Sequence, residues 1–161
     1  MPIHYISFAL SGVTDRVLDA SPNTVWRVRV RAENEAGASD WSKEVSITTA
    51  EGAPSAVQDL DARPSGPEAA AISWRPPAQP NGEITGYTLV YRLKSRGECG
   101  PRSAQPITRN TLAEGILLDG LLPDSTYDVH VTAHTSQAGP QSNIVTVTTN
   151  EDGELISYSF L

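Results

Sequence analysis

The sequence predicts an all-β chain built as an antiparallel sandwich, and three observations carry that expectation. Apolar and polar residues alternate repeatedly, turn clusters separate the alternating runs, and helical periodicity is missing. Successive strand side chains point to opposite faces, so alternation marks a sheet with one buried and one wet side. No window of a dozen residues keeps apolar residues at i, i+3, i+4 and i+7 without Pro or Gly intervening. The 12 glycines and 12 prolines are well spread, which favours turns over a helical bundle.

Taken in order, the first apolar run is IHYISFAL, Ile3–Leu10. It has neither a charged leading region nor a small-residue cleavage site, so it does not read as a secretory signal. Trp26, Val28, Val30 and Ala32 then alternate with Arg27, Arg29 and Arg31. Val45, Ile47 and Thr49 form a second short strand before the cluster GAP at Gly52–Pro54. Further turns fall at Pro64–Pro67 (PSGP), Pro76–Gly82 (PPAQPNG) and Ala138–Asn143 (AGPQSN). Tyr127, Val129, Val131 and Ala133 alternate with Asp128, His130, Thr132 and His134, and Val145, Val147 and Thr149 close the series. Many short strands at such spacing predict a sandwich.

The chain also repeats itself. VSITT at Val45–Thr49 recurs 100 positions later as VTVTT at Val145–Thr149. PNTVWRVRVRA at Pro22–Ala32 aligns with PDSTYDVHVTA at Pro123–Ala133, 101 positions on and without a gap. A period near one hundred residues suits one small sandwich per repeat. The boundary lies in Ala50–Pro54, a segment too short and stiff to let neighbouring units tumble freely.

These residues carry a family resemblance. From Pro54 to Thr149 the chain resembles a fibronectin type III module. ISWRPP places Trp74 on the second strand, and NGEITGYTLVYR resembles the third, with Tyr87, Leu89 and Tyr91 alternating. LLPDSTYDVHV resembles the tyrosine corner, with Leu121 and Tyr127 in its structural roles. The resemblance implies an immunoglobulin-like antiparallel β-sandwich. Only 53 residues precede Pro54, where the family would have about forty more. Trp26 stands where the corner tyrosine usually does. The chain therefore divides into a partial module at 1–53, holding the C-terminal strands, a complete module at 54–149, and a tail or linker at 150–161.

Chemistry-bearing motifs are sparse. His130 and His134 share one strand face but lie roughly 13 Å apart, too far to hold one metal together, and His4 lies far away in sequence. Cys99, in SRGECGPR, has Arg96 and Arg102 near it but no recognisable base. One cysteine excludes an internal disulfide framework. There is no GxSxG, HExxH or phosphate-cradling glycine loop, so the chain is expected to have no catalytic, cofactor or metal site. NEDGE at Asn150–Glu154 offers oxygens without the ordered spacing of a calcium loop and reads as a solvated linker. A net charge of −7 argues against nucleic acid, and no apolar stretch reaches membrane-spanning length.

Arg27, Arg29 and Arg31 form an outward row about 7 Å apart, and Trp41 in SDWSKE is placed to lie across it. The segment resembles half of the tryptophan-serine repeat of cytokine-receptor modules, with Ala38 near the place of the first tryptophan. Such a ladder either stiffens the sheet or serves as a partner-binding patch, a sulfated glycan being one partner it would suit. Loops at the sandwich ends are expected to make the partner contacts in preference to sheet faces: Pro77–Gly82, Lys94–Arg102 and Thr135–Gln141, with Asn81, Arg96, Arg102 and Gln137 as named contacts. The apolar ends, Ile3–Leu10 and Glu154–Leu161, have the profile of strands that seek a sheet edge and suggest self-association.

The resemblance implies a non-catalytic interaction and spacer module in the ectodomain of a cell-surface receptor or adhesion protein. Receptor-type tyrosine phosphatases carry arrays resembling this one. Its partners would be other proteins and neighbouring modules, at the extracellular face of the plasma membrane. Missing RGD and N-x-[ST] sequences bear little on that expectation. The alternatives are a cytoplasmic array, as in giant muscle or cytoskeletal scaffolds, and a secreted matrix fragment.

Overall fold

The computed structural model describes residues 20–97 and 104–152. Its contacts divide the chain into two compact units, Met1–Gly52 and Ala53–Leu161. Every regular element among the described residues is a β-strand.

The first unit pairs β1 (Val25–Val28) with β4 (Val45–Thr48) in antiparallel register, Trp26 facing Ile47. Between them β2 (Glu33–Asn34) and β3 (Gly37–Ala38) form a two-residue hairpin. Its turn is set by Asn34, whose Oδ1 accepts the Ala36 N–H at 2.9 Å. The alternation expected through Ala32 stops early as a ladder. Beyond Val28 the neighbouring backbone is met by serines: Ser42 donates its N–H to the Val30 carbonyl and accepts the Val30 N–H on its hydroxyl. Ser39 treats Ala32 in the same way. Between these bonds one residue of the first segment, Arg31, thus lies opposite two of the other, Asp40 and Trp41.

The expectation of one buried and one wet face fails for this pair. Val30 is 65% exposed and Ile47 51%, and β4 is exposed on both sides. The physical reason is that β2–β3 is the only other sheet of this unit among the described residues, and it is too small to cover them.

The second unit closes a core. β5 (Gln58–Pro64), β6 (Ala70–Arg75) and β9 (Gly115–Leu118) form one sheet in the order β5-β6-β9. The other contains β7 (Gly86–Arg96), β8 (Ile107–Thr111), β10 (Ser125–His134), β11 (Ala138–Gln141) and β12 (Val145–Thr148). Its order is β11-β10-β7-β8, with β12 also on β10. Inward residues of both sheets meet: Ala70, Ile72 and Trp74 face Tyr87, Leu89, Tyr91, Tyr127, Val129 and Val131, all buried. Each of the larger aliphatic side chains among them contributes about 1.5–3 kcal/mol relative to exposure. Trp74 meets Tyr87 edge-on at 5.4 Å, and Tyr91 lies 6.2 Å from Tyr127.

The corner is built as the family resemblance implies. Tyr127 Oη accepts the Leu122 N–H at 2.8 Å, and Leu121 is buried. Trp26, at the matching place in the first unit, has an indole that only donates, so it supplies no such acceptor.

The sequence repeat reaches the hydrogen bonds. In the second unit Thr149 Oγ1 accepts the Ser125 N–H and donates to the Leu122 carbonyl. In the first, Thr49 Oγ1 accepts the Thr24 N–H and donates to the Ser21 carbonyl. Asn23 and Asp124 share a left-handed φ of 46° and 43°. The β1–β4 and β10–β12 registers also match position for position, Trp26–Ile47 against Tyr127–Val147.

Candidate partner-binding surfaces

Ser39 and Ser42 bow the segment between them, and Trp41 lies over the arginine row. The Arg29 guanidinium sits 4.5 Å from the indole centroid and that of Arg31 4.9 Å. Each contact contributes about 0.5–1 kcal/mol at an exposed site. Arg27 turns instead to Glu44 at 3.1 Å, and Arg31 is shared with Glu33 at 3.3 Å. Among the described residues Arg29 alone of the three has no carboxylate within ion-pair distance. Trp41 remains 44% exposed, so the ring held by the arginines still leaves surface for contact. Gln141 occupies the matching position of the second unit, which therefore has no such stack.

The loop residues scatter. Asn81 adopts a left-handed φ of 54° and donates its amide to the Ala53 carbonyl at 2.8 Å, which fastens the start of the unit. Gln137 is exposed in a turn closed by Thr135, whose N–H donates to the Gln137 carbonyl. A Cβ on Gly139 would meet the Pro54 carbonyl oxygen at 2.6 Å, so this loop also packs on the start of the unit. Arg96 ends β7 at the other pole, beside Gly97, which donates to the Asp124 carbonyl. Asn81 and Gln137 thus share one pole and Arg96 occupies the opposite one. Arg102 and Cys99 lie outside the described residues, as do the apolar ends Ile3–Leu10 and Glu154–Leu161, and Lys94–Arg102 lies partly outside.

Sequence reasoning missed the polar groups on the outer face of the larger sheet. Asp128 binds Lys94 at 3.2 Å and Arg92 at 3.6 Å, and accepts the Thr146 hydroxyl at 3.0 Å. Burial pushes its carboxyl up, but the Lys94 and Thr146 hydrogen bonds and the neighbouring cations outweigh burial, and the pKa falls below the ordinary carboxylate value. Burial, and after it the Arg92 charge, hold the His130 imidazole below its ordinary value. His134 Nε2 lies 2.8 Å from Thr88 Oγ1, whose hydroxyl donates to Asn110 Oδ1 at 3.0 Å. The two histidines therefore have separate surroundings. Alternation announced the face each residue takes; the partners depend on strand register.

No group of three or more His, Cys, Asp and Glu among the described residues is placed to hold a metal. No helix among them is long and apolar enough to cross a membrane.

Residues 55–148, more than half of the chain, match the Fibronectin type III domain. The chain belongs to the fibronectin type III family. Such a module is non-catalytic. The chain is 32% identical over 140 residues to human cell adhesion molecule DSCAML1, covering 84% of this chain and 7% of that protein. It is 41% identical over 119 residues to mouse receptor-type tyrosine-protein phosphatase F, covering 71% and 6%. Drosophila melanogaster neuroglian is 35% identical over 118 residues, covering 69% and 9%. The chain thus spans less than a tenth of the length of these curated relatives. Among solved structures, the FN5 domain of Drosophila Lar is 26% identical with a TM-score of 0.50, covering 62% of this chain and 99% of that one. Domains d3–d4 of the rat CD45 extracellular region share the type III chain's fold at 17% identity and a TM-score of 0.66, covering 92% and 77%.

Proposed function

We propose that this chain is a non-catalytic interaction and spacer segment in the ectodomain of a cell-surface receptor or adhesion protein. The observation that carries the proposal is the length of the match to DSCAML1. Its 140 residues exceed the second unit, so the relationship to a cell adhesion molecule takes in part of the first unit as well. The second unit acts by geometry, as a packed sandwich that sets the spacing of whatever lies on either side.

Partner contact is assigned to the Arg29–Trp41–Arg31 stack in preference to the loops. Exposed tryptophan and arginine are the residues that most often anchor protein interfaces, and here they are already ordered against one another. Asn81, by contrast, spends its amide on the Ala53 carbonyl.

Staining of intact cells with an antibody against the second unit tests the location. Surface signal without permeabilisation is expected, whereas signal only after permeabilisation rejects the ectodomain reading and favours the cytoplasmic array. Trp41→Ala tests the contact. It is expected to lower binding of the chain to those cells at least tenfold while leaving the second unit's unfolding unchanged. Unaltered binding moves the interface elsewhere.

A further inference from the structure

The three arginines of the outward row are not equivalent. Glu44 takes Arg27 and Glu33 takes Arg31, whereas Arg29 has no carboxylate within ion-pair distance among the described residues. Among those residues its guanidinium also donates no hydrogen bond. Its one strong contact is the Trp41 indole, 4.5 Å away at the ring centroid. A ring face attracts the cation, but it does not use up the five N–H groups that lie in the guanidinium plane. An uncommitted N–H fork and a half-exposed indole therefore lie side by side. The second unit has neither, because His130 and Gln141 hold the positions that match Arg29 and Trp41.

We infer that Arg29 receives a carboxylate of the partner protein, from an Asp or Glu side chain, in a two-pronged hydrogen bond beside the apolar surface of Trp41. The inference rests on the assignment of partner contact to this stack, and it adds the chemistry that the partner brings. The planar guanidinium presents parallel N–H groups that match the two oxygens of a carboxylate. It is already held against the ring, so less side-chain freedom is lost when the pair forms. Apolar surface beside the pair displaces water, and a charged hydrogen bond strengthens as the local dielectric falls. The surrounding charge selects a single carboxylate over a polyanion such as a sulfated glycan. Residues 20–52 carry four cations and five carboxylates, with Glu33 and Glu44 on the flanking arginines and Asp40 next to Trp41 in sequence. A chain of sulfates would meet those carboxylates and be repelled. One side chain meets only the arginine that has no carboxylate of its own.

Binding of the full chain to the cells used for Trp41→Ala is measured for Arg29→Gln, Arg29→Lys and Arg31→Gln. Arg31 also touches the indole but is occupied by Glu33, so its variant reads the stack without the receiving fork. Both Arg29 variants are expected to weaken binding by roughly tenfold or more, lysine included because a point charge does not form the fork. Arg31→Gln is expected to weaken it by less than about threefold. The same cells are then treated with carbodiimide and glycinamide, which converts surface carboxylates to amides. Separate samples receive heparinase, chondroitinase and sialidase. Amidation is expected to lower binding of the unmutated chain by roughly tenfold or more, and the enzymes to leave it unchanged. The inference is overturned if either Arg29 variant binds as the unmutated chain does, or if Arg31→Gln weakens binding as much as Arg29→Gln. It is equally overturned if amidated cells bind normally, or if the enzymes abolish binding, because the acid then belongs to a glycan. All of these failures leave a Trp41→Ala loss standing, whereas unaltered binding by Trp41→Ala removes the stack itself from the interface.

Discussion

Ser42 and Ser142 perform the same act in different surroundings. Each hydroxyl accepts an N–H of the facing strand, Val30 at 2.9 Å and Val131 at 3.0 Å. Val131 is fully buried, so Ser142→Ala leaves its N–H without water and is expected to cost about 1–3 kcal/mol. Val30 is exposed, water replaces the lost acceptor, and Ser42→Ala is expected to cost no more than about 0.5 kcal/mol. Urea unfolding of the second unit, and exchange of the Val30 amide, read the two effects. Tyr127→Phe removes the acceptor for Leu122 and is expected to cost about 1 kcal/mol, lowering the midpoint of a domain this size by roughly 4–8 °C. Calorimetry checks it. These residues were legible in part. Tyr127 announced itself through its Leu-Pro-Asp approach, whereas nothing local marks Ser42 or Ser142, whose bonds depend on a strand about a dozen residues away.

Strands behave as the alternation requires wherever two layers close on them. β7 and β10 bury Tyr87, Leu89, Tyr91, Tyr127, Val129, Val131 and Ala133, and Leu93 continues the series half-buried. β1 and β4 carry the same pattern and stay open, since a period-two run specifies which side is apolar but not that anything will cover it. Register was the illegible part. Asp128 faces Arg92 across the β7–β10 ladder, and Lys94 joins them, 34 and more residues away in sequence. That pairing yields a pH dependence. His130 binds its proton less readily folded than unfolded, so its contribution is full above the unfolded imidazole pKa and shrinks as pH falls through the window below it. Asp128, also depressed, holds its contribution until pH drops below the unfolded carboxylate value and loses it as pH falls through the folded one. Urea midpoints are expected to decline over both windows on acidification. His130→Gln removes the upper decline and Asp128→Asn the lower; a midpoint flat across both windows contradicts the assignment.

At the scale of the whole second unit, strand parity sorts its loops. The Pro77–Gly82 and Thr135–Gln141 connections gather at the pole where the polypeptide arrives, near Ala53 and Pro54. Arg96 and Asp124 lie at the other, where Asn150 leaves. Counting antiparallel strands would have revealed this split, because successive turns alternate between ends. Antibodies raised to the Asn81 loop and to the Lys94–Gly97 end are therefore expected to bind together. Mutual blocking in a competition assay would place both at one pole and refute the arrangement.

That arrangement also settles how the unit responds to tension. Arrival and departure are separated by the length of β10, ten residues or about 33 Å. A pull on the polypeptide draws the start of β5 toward one pole and the end of β12 toward the other. Both strands are paired antiparallel along their length, β5 to β6 and β12 to β10. The load therefore falls in shear across each whole ladder at once, and the bonds share it instead of opening one after another. Rupture under such a load is governed by the unfolding rate. A unit strung in this way carries force from neighbour to neighbour before it yields.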